Sequence, residues 1–264
     1  MLLIGERINA TRSRIAHAVR ARDAAVLARE ARVQTEAGAD FIDLNVGCDP
    51  AREAAHLEWA VPVVLQSTPL PLCLDSANPE VLRRGLRLVE RRPVMINSVT
   101  GEAARLDAVL PLAAQSGALL VALTMDDRGL PDTADRRLDI ASRIIAAAER
   151  AGIGRERVYV DPCVQPIGTN GQQGMEVISA VFRIMQAFPG VHTTCGLSNI
   201  SFGLPNRALL NRVFLGCLIA AGLDSAITDP TAEGIMDTIR AAEALAGRDE
   251  FCMRYIRALR PRPS

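Results

Sequence analysis

The 264-residue chain has no lysine, so all 30 of its basic residues are arginine. Schiff-base chemistry needs a lysine amine and the phosphate-cradling loop GxxxxGK needs its lysine, so both are excluded. Histidine is nearly as scarce. His17 and His56 fall in helical patterns, His192 begins a candidate strand, and none has a second ligand at metal spacing. There is no HExxH, no cysteine–histidine cluster and no GxSxG elbow, so neither a bound metal nor a covalent nucleophile is expected. Cys48, Cys73, Cys163, Cys195, Cys217 and Cys252 are scattered without a CxxC pair, which reads as free thiols in a reducing cytoplasm. The opening Met1–Arg7 lacks a basic region followed by a long apolar stretch, and no apolar run reaches the roughly 18 residues of a membrane span. Thirty acidic residues cancel the thirty arginines, leaving no global field to gather nucleic acid or an anionic membrane.

What is present is a sizeable core and a regular alternation. Apolar residues make up 49% of the chain. Short apolar runs at 2–5, 40–46, 71–75, 93–97, 118–124, 157–161, 192–198 and 224–228 read as strands. Amphipathic stretches near 13–37, 50–66, 79–90, 102–116, 134–152, 175–188, 205–221 and 231–246 read as helices, with a last short one near 249–258. Eight strand-then-helix units in a chain close to the roughly 250 residues of a (β/α)8 TIM barrel predict that fold, as a single domain over 1–264. No linker precedes the final Arg260–Ser264, and no repeat or low-complexity tract interrupts the βα period.

In such a barrel the carboxyl ends of the strands share one rim, so polar residues there converge on one pocket. Asp75, Asn97 and Asp161 each end an otherwise apolar strand, and Asn199 follows the seventh run. Aspartate and asparagine also cap helices in βα loops. Against a purely capping role, Ser76 and Asn78 stand ready to cap the helix after Asp75, and a long loop, 162–174, follows Asp161. Glu6, Arg7 and Asn9 after the first strand form either a site or a salt-bridged barrel mouth. Asp43 and Asn45 alternate onto one face, where Asp43 is either a ligand or a satisfied structural carboxylate. The loop 162–174 has the glycine and amide content of a mobile lid, and Gly196 lets a ligand approach the backbone. A ring of amides and carboxylates suits a nitrogen-rich planar heterocycle rather than a phosphate or a metal.

Eight blocks in order carry a resemblance: IGERIN at 4–9, DLNVG at 43–47, LCLDS at 72–76, MINS at 95–98, LTM at 123–125, DP at 161–162, GLSN at 196–199 and LNR at 210–212. Together they resemble the methyltetrahydrofolate:corrinoid protein methyltransferases, and more distantly the folate domain of cobalamin-dependent methionine synthase. The resemblance runs from Met1 to about Arg257. It implies a pterin-binding TIM barrel, usually a homodimer, that moves a methyl group between N5 of methyltetrahydrofolate and the cobalt of a corrinoid, in either direction. It further implies that Asp75, Asn97 and Asp161 hydrogen-bond the pterin, that Glu6, Asn9, Asp43, Gly196 and Ser198 line or support its pocket, and that Asn199 contacts N5. The cobalamin would arrive on a partner corrinoid protein, leaving the folate as the chain's own ligand. Two positions depart from the family pattern: Phe202 stands where glutamine is common, and Asp126 where asparagine is common. A dihydropteroate synthase is the alternative enzyme on a related barrel, but that family relies on a lysine near the pterin, and this chain has none. A non-catalytic folate binder would keep Asp75, Asn97 and Asp161 and be indifferent to Asn199.

Overall fold

Strands covered on both faces must be apolar on both faces, and these are. Leu72, Cys73 and Leu74 are fully buried, as are Met95 and Ile96 next to them. The computed structural model describes residues 1–89 and 92–260. Its strands are β1 (Leu2–Asn9), β2 (Phe41–Asn45), β3 (Leu72–Asp75), β4 (Val94–Thr100), β5 (Leu119–Leu123), β6 (Val158–Asp161), β7 (His192–Thr193) and β8 (Ser225–Thr228). They form one parallel sheet in the order β7-β6-β5-β4-β3-β2-β1-β8, with β1 paired to both β2 and β8, as in a (β/α)8 barrel. The helices are α1 (Ser13–Ala21), α2 (Ala24–Glu36), α3 (Glu53–Leu65), α4 (Pro79–Leu88), α5 (Ala103–Ser116), α6 (Ala134–Arg150), α7 (Gln173–Ala187), α8 (Arg207–Ala221), α9 (Ile235–Leu245) and α10 (Met253–Leu259). Residue 90 of the helix expected over 79–90, and the tail 261–264, lie outside the described residues.

The last seam, between β7 and β8, is joined differently. Ile227 N–H donates to the Cys195 carbonyl at 2.9 Å, and the other links use side chains. Asp224 accepts from Thr193 N–H at 2.9 Å and meets His192 Nδ1 at 2.6 Å, while Ser225 Oγ donates to the Thr193 carbonyl at 3.0 Å. Buried polar groups that a ladder would have paired are thereby satisfied.

Several boundaries differ from the sequence-based expectation; strand β4, expected over 93–97, runs on to Thr100, so Asn97 lies within the strand rather than at its end. The single helix expected over 13–37 breaks in two, because Arg22 adopts a left-handed conformation and Asp23 caps α2 through the amides of Ala25 and Val26. Strand β1 runs on to Asn9, with a register shift between Gly5 and Ile8 where Gln34 Oε1 accepts from Arg7 N–H at 2.9 Å. A Cβ at position 5 would clash with Gln34 Oε1, so glycine there leaves that amide in place. The seventh strand, expected over 192–198, ends at Thr193, and Leu197–Ser201 turns into a short 3-10 helix. Asn199 therefore sits in a turn above the barrel rather than at a strand end.

Inside the barrel, Ile4, Phe41, Cys73, Met95, Val121, Tyr159 and Ile227 pack into one layer. Burying each large apolar side chain of such a layer contributes roughly 1.5–3 kcal/mol. Separate clusters fill the space between barrel and helices. No helix is long and apolar enough to cross a membrane among the described residues.

Candidate active site at the carboxyl rim

Successive side chains of a strand point to opposite faces, so the residue two places beyond an inward one also points inward, one layer higher. Applied to the interior layer, Ile4 leads to Glu6, Phe41 to Asp43, Cys73 to Asp75, Met95 to Asn97 and Tyr159 to Asp161. These five polar residues, with Asn9, Gly196, Ser198 and Asn199, line one cavity of about 740 Å³ over the apolar layer. All nine residues singled out from the sequence are thus brought together. Arg7 is not: its alternate position turns it outward, where it donates to Glu30 at 2.6 Å, Asp229 at 3.0 Å and Thr231 at 2.7 Å. It is the salt-bridged half of the barrel mouth.

The rim's hydrogen bonds tie separate elements together. Asn97 Nδ2 donates to Asp43 at 3.3 Å, Asn45 Nδ2 donates to Asp75 at 3.0 Å, and Ser198 Oγ donates to Glu6 at 3.0 Å. Asp161 accepts from the Cys163 amide at 2.7 Å. Asp75 and Asn97 are side by side in the β3–β4 register, whereas Asp43 is level with Cys73 and so lies deeper.

All four acids are harder to ionise than usual. Burial, then the charge of Asp75, pushes the Asp43 carboxyl well above the ordinary range. Burial raises Asp75 too, with Asn45 opposing it. Glu6 is raised by burial against the pull of Ser198 and of Arg12 and Arg207. Asp161 is raised by burial to about 6, with the Cys163 and Gly196 amides and Arg137 drawing it down. A pocket of this kind resists accumulating negative charge, and a ligand that presents N–H groups supplies what its carboxylates lack.

Several lining residues were not anticipated. Thr11 and Arg12 come from the β1–α1 loop, Ser98 from β4, and Arg207, Ala208 and Asn211 from the first turn of α8. The 207, 208, 211 spacing is one helical face, a signal readable from the sequence. Arg12 and Arg207 had none to distinguish them among thirty arginines. Asn199 is exposed on the wall, and among the described residues its side-chain amide makes no hydrogen bond. A Cβ at Gly196 would come 3.4 Å from Asn199 Nδ2, so glycine leaves that amide room to turn.

The two departures lie outside the cavity lining. Asp126 is neutralised by Arg136 at 2.8 Å and Arg143 at 2.5 Å. Burial alone would raise its carboxyl, but Arg143, the Arg128 amide and Arg136 hold it at about 2. Phe202 is exposed on the rim with the Arg207 guanidinium 5.9 Å from its ring centre. The loop 162–174 is braced rather than hanging free: Gln165 donates to the Pro131 carbonyl at 2.7 Å, and Ile167 N–H to the Ile200 carbonyl at 3.1 Å. Among the described residues no three His, Cys, Asp or Glu side chains are grouped to hold a metal ion.

Known proteins match this arrangement over most of the chain. The pterin binding enzyme family matches residues 5–229. A methylcorrinoid:tetrahydrofolate methyltransferase from Eubacterium limosum is 35% identical over 262 residues, covering 98% of this chain and 96% of that protein. The methionine synthase of Mycobacterium leprae is 36% identical over 240 residues, 86% of this chain but only 20% of that larger protein. Among solved structures, the dihydropteroate synthase of Xanthomonas albilineans with 7,8-dihydropteroate superposes with a TM-score of 0.71 at 21% identity, covering 92% of this chain and 93% of that one. At that identity the likeness is one of fold.

Proposed function

Since the chain belongs to the pterin-binding enzymes, we propose that it is a methyltransferase moving a methyl group between N5 of methyltetrahydrofolate and the cobalt of a corrinoid carried by a partner protein. The observation that carries this reading is the rim cavity, where Asp75, Asn97 and Asp161 meet beside an unpaired Asn199 amide. It is supported by a relative of the same length whose name specifies that chemistry.

A pterin ring carries an amidine-like edge of N–H donors. Asp75 and Asp161 accept from such donors, and Asn97 both donates and accepts. These bonds fix the ring's orientation, which in a displacement reaction is worth several kcal/mol. Glu6 and Ser198 form a bonded pair on one wall, Asn9 borders it, and Asp43 holds Asn97 in place from beneath. A reduced corrinoid cobalt, when present, supplies the electron pair that takes the methyl group. N5 is a poor leaving group unless it carries a proton or its positive charge is stabilised. An asparagine amide accepts from protonated N5 and donates to unprotonated N5, so Asn199 remains bonded through the reaction in either direction.

The corrinoid partner approaches the rim, where Asn199, Phe202 and Arg207 stand exposed. The outer face of α8 and α9 offers a second surface. Leu209, Val213 and Leu245 are exposed around a groove of about 440 Å³, an apolar face suited to a second copy of the chain. We read the protein as a cytoplasmic homodimer acting in one-carbon transfer.

The test combines methyltetrahydrofolate, free cob(I)alamin and the protein, with the cobalt spectrum followed over time. Methylcobalamin forms with the native chain. Asn199→Ala lowers the transfer rate by about 10²-fold while folate affinity changes far less. Folate binding without any transfer would instead identify a folate-binding protein.

A further inference from the structure

Arg137 on α6 is fully buried, yet no carboxylate reaches it within hydrogen-bond distance among the described residues. Its partners are neutral: Nε donates to the Pro162 carbonyl at 2.6 Å, and Nη2 to Gln173 Oε1 at 2.8 Å and the Cys163 carbonyl at 3.4 Å. Nη1 has no partner. Taking a guanidinium out of water costs several kcal/mol, which neutral acceptors offset only in part. The neighbouring geometry accounts for its presence.

The peptide unit joining Pro162 to Cys163 is held at both ends. Its carbonyl accepts from Arg137, and its N–H donates to Asp161 Oδ1 at 2.7 Å. Hydrogen bonds in series polarise one another, so a cation on the carbonyl makes the N–H a stronger donor. The fork of the guanidinium also grips the next carbonyl, of Cys163, whose φ of 57° is left-handed and unfavourable for a residue with a side chain. That conformation turns the chain sharply after the amide that bonds Asp161. We propose that Arg137 is a positioning residue for Asp161, acting through the Pro162–Cys163 peptide to hold the carboxylate as an acceptor facing the cavity.

This rests on the reading that Asp161 grips the pterin, but the linkage itself can be followed without ligand. In the native, ligand-free protein, the nitrogen-15 and proton resonances of the Cys163 amide and of Arg137 Nε–H move together through the Asp161 titration, whose midpoint lies at about 6. If Cys163 responds and Arg137 Nε–H stays still between pH 4 and 8, the linkage is refuted. Arg137→Met, verified as folded by its amide spectrum, raises the Asp161 midpoint by about one pH unit and weakens methyltetrahydrofolate binding at neutral pH, with Arg137→Lys showing a smaller change. An unmoved midpoint in folded Arg137→Met overturns the proposal. If that variant does not fold, the native resonances decide alone. Native protein that binds no folate would remove the pterin reading and leave the Arg137–Asp161 linkage to be judged on those resonances.

Discussion

Asp161 shows how one side chain ties acidity to binding. Its carboxyl is raised to about 6, so in the ligand-free protein its ionisation costs stability as pH climbs from the ordinary carboxylate range through 6, and that cost is absent below the range. A pterin N–H donated to the ionised form reverses the preference. Methyltetrahydrofolate affinity is therefore expected to weaken as pH falls below about 6, by up to about tenfold per unit, and to plateau above it. Calorimetric titrations from pH 5 to 8 measure this directly. Asp161→Asn binds more weakly and flattens the profile; a native profile already flat would contradict the assigned contact. At this scale the sequence was most legible where strand alternation applies: Asp75, Asn97 and Asp161 each follow an inward apolar residue by two positions. It was silent on Arg137 and Arg207, whose roles depend on which backbone carbonyls the fold carries to them, something local pattern does not encode.

Among the elements, the seam between β7 and β8 differs most from its neighbours. The other strand pairs are joined by backbone ladders, whereas this one combines the Ile227–Cys195 backbone bond with Asp224 bonded to His192 and to the Thr193 amide. The Asp224 hydrogen bond raises the His192 imidazole against the opposing effect of burial. Stability from this pair is therefore complete below the ordinary histidine value of about 6.5 and is lost as pH rises through the elevated folded value. Asp224→Asn should destabilise the protein by about 1–3 kcal/mol, and by more at pH 6 than at pH 9, in urea unfolding monitored by circular dichroism. Equal losses at both pH values would show the histidine charge to be irrelevant. The shortness of β7 was hidden in the sequence because Thr193 and Thr194, β-branched, and Cys195 suit a strand; the chain leaves the sheet where Gly196 and the following Leu197–Ser201 turn lead it over the cavity. The break between α1 and α2 was hidden for the opposite reason, since helical periodicity continues across Arg22 and only Asp23, as a cap, marks the restart.

Taken whole, the molecule presents two faces through one helix. One face at the start of α8 lines the cavity with Arg207, Ala208 and Asn211, and the other face carries Leu209, Val213 and Gly216 along the outer groove. If two copies meet there, Val213→Arg should shift the sedimenting species from dimer to monomer at micromolar concentration, while transfer to free cob(I)alamin persists. A native chain that sediments as a monomer would rule that surface out as a self-contact. The alternation of eight units was plain in the sequence because the strands are largely buried on both faces and α1 to α9 each bury one face. How the barrel's surfaces are used was not, because exposure of an apolar residue is decided by its helix's neighbours.

The interior layer of Ile4, Phe41, Cys73, Met95, Val121, Tyr159 and Ile227 has a further role. Because the rim residues stand two positions above it on the same strands, this apolar packing is also a depth gauge. On the proposed reading it sets where a planar ring comes to rest and hence how far the ring's reacting edge lies from Asn199. Exchanging Met95 or Phe41 for a shorter side chain would alter that height without touching a single polar contact, so selection on this part of the core acts on reach as well as on stability.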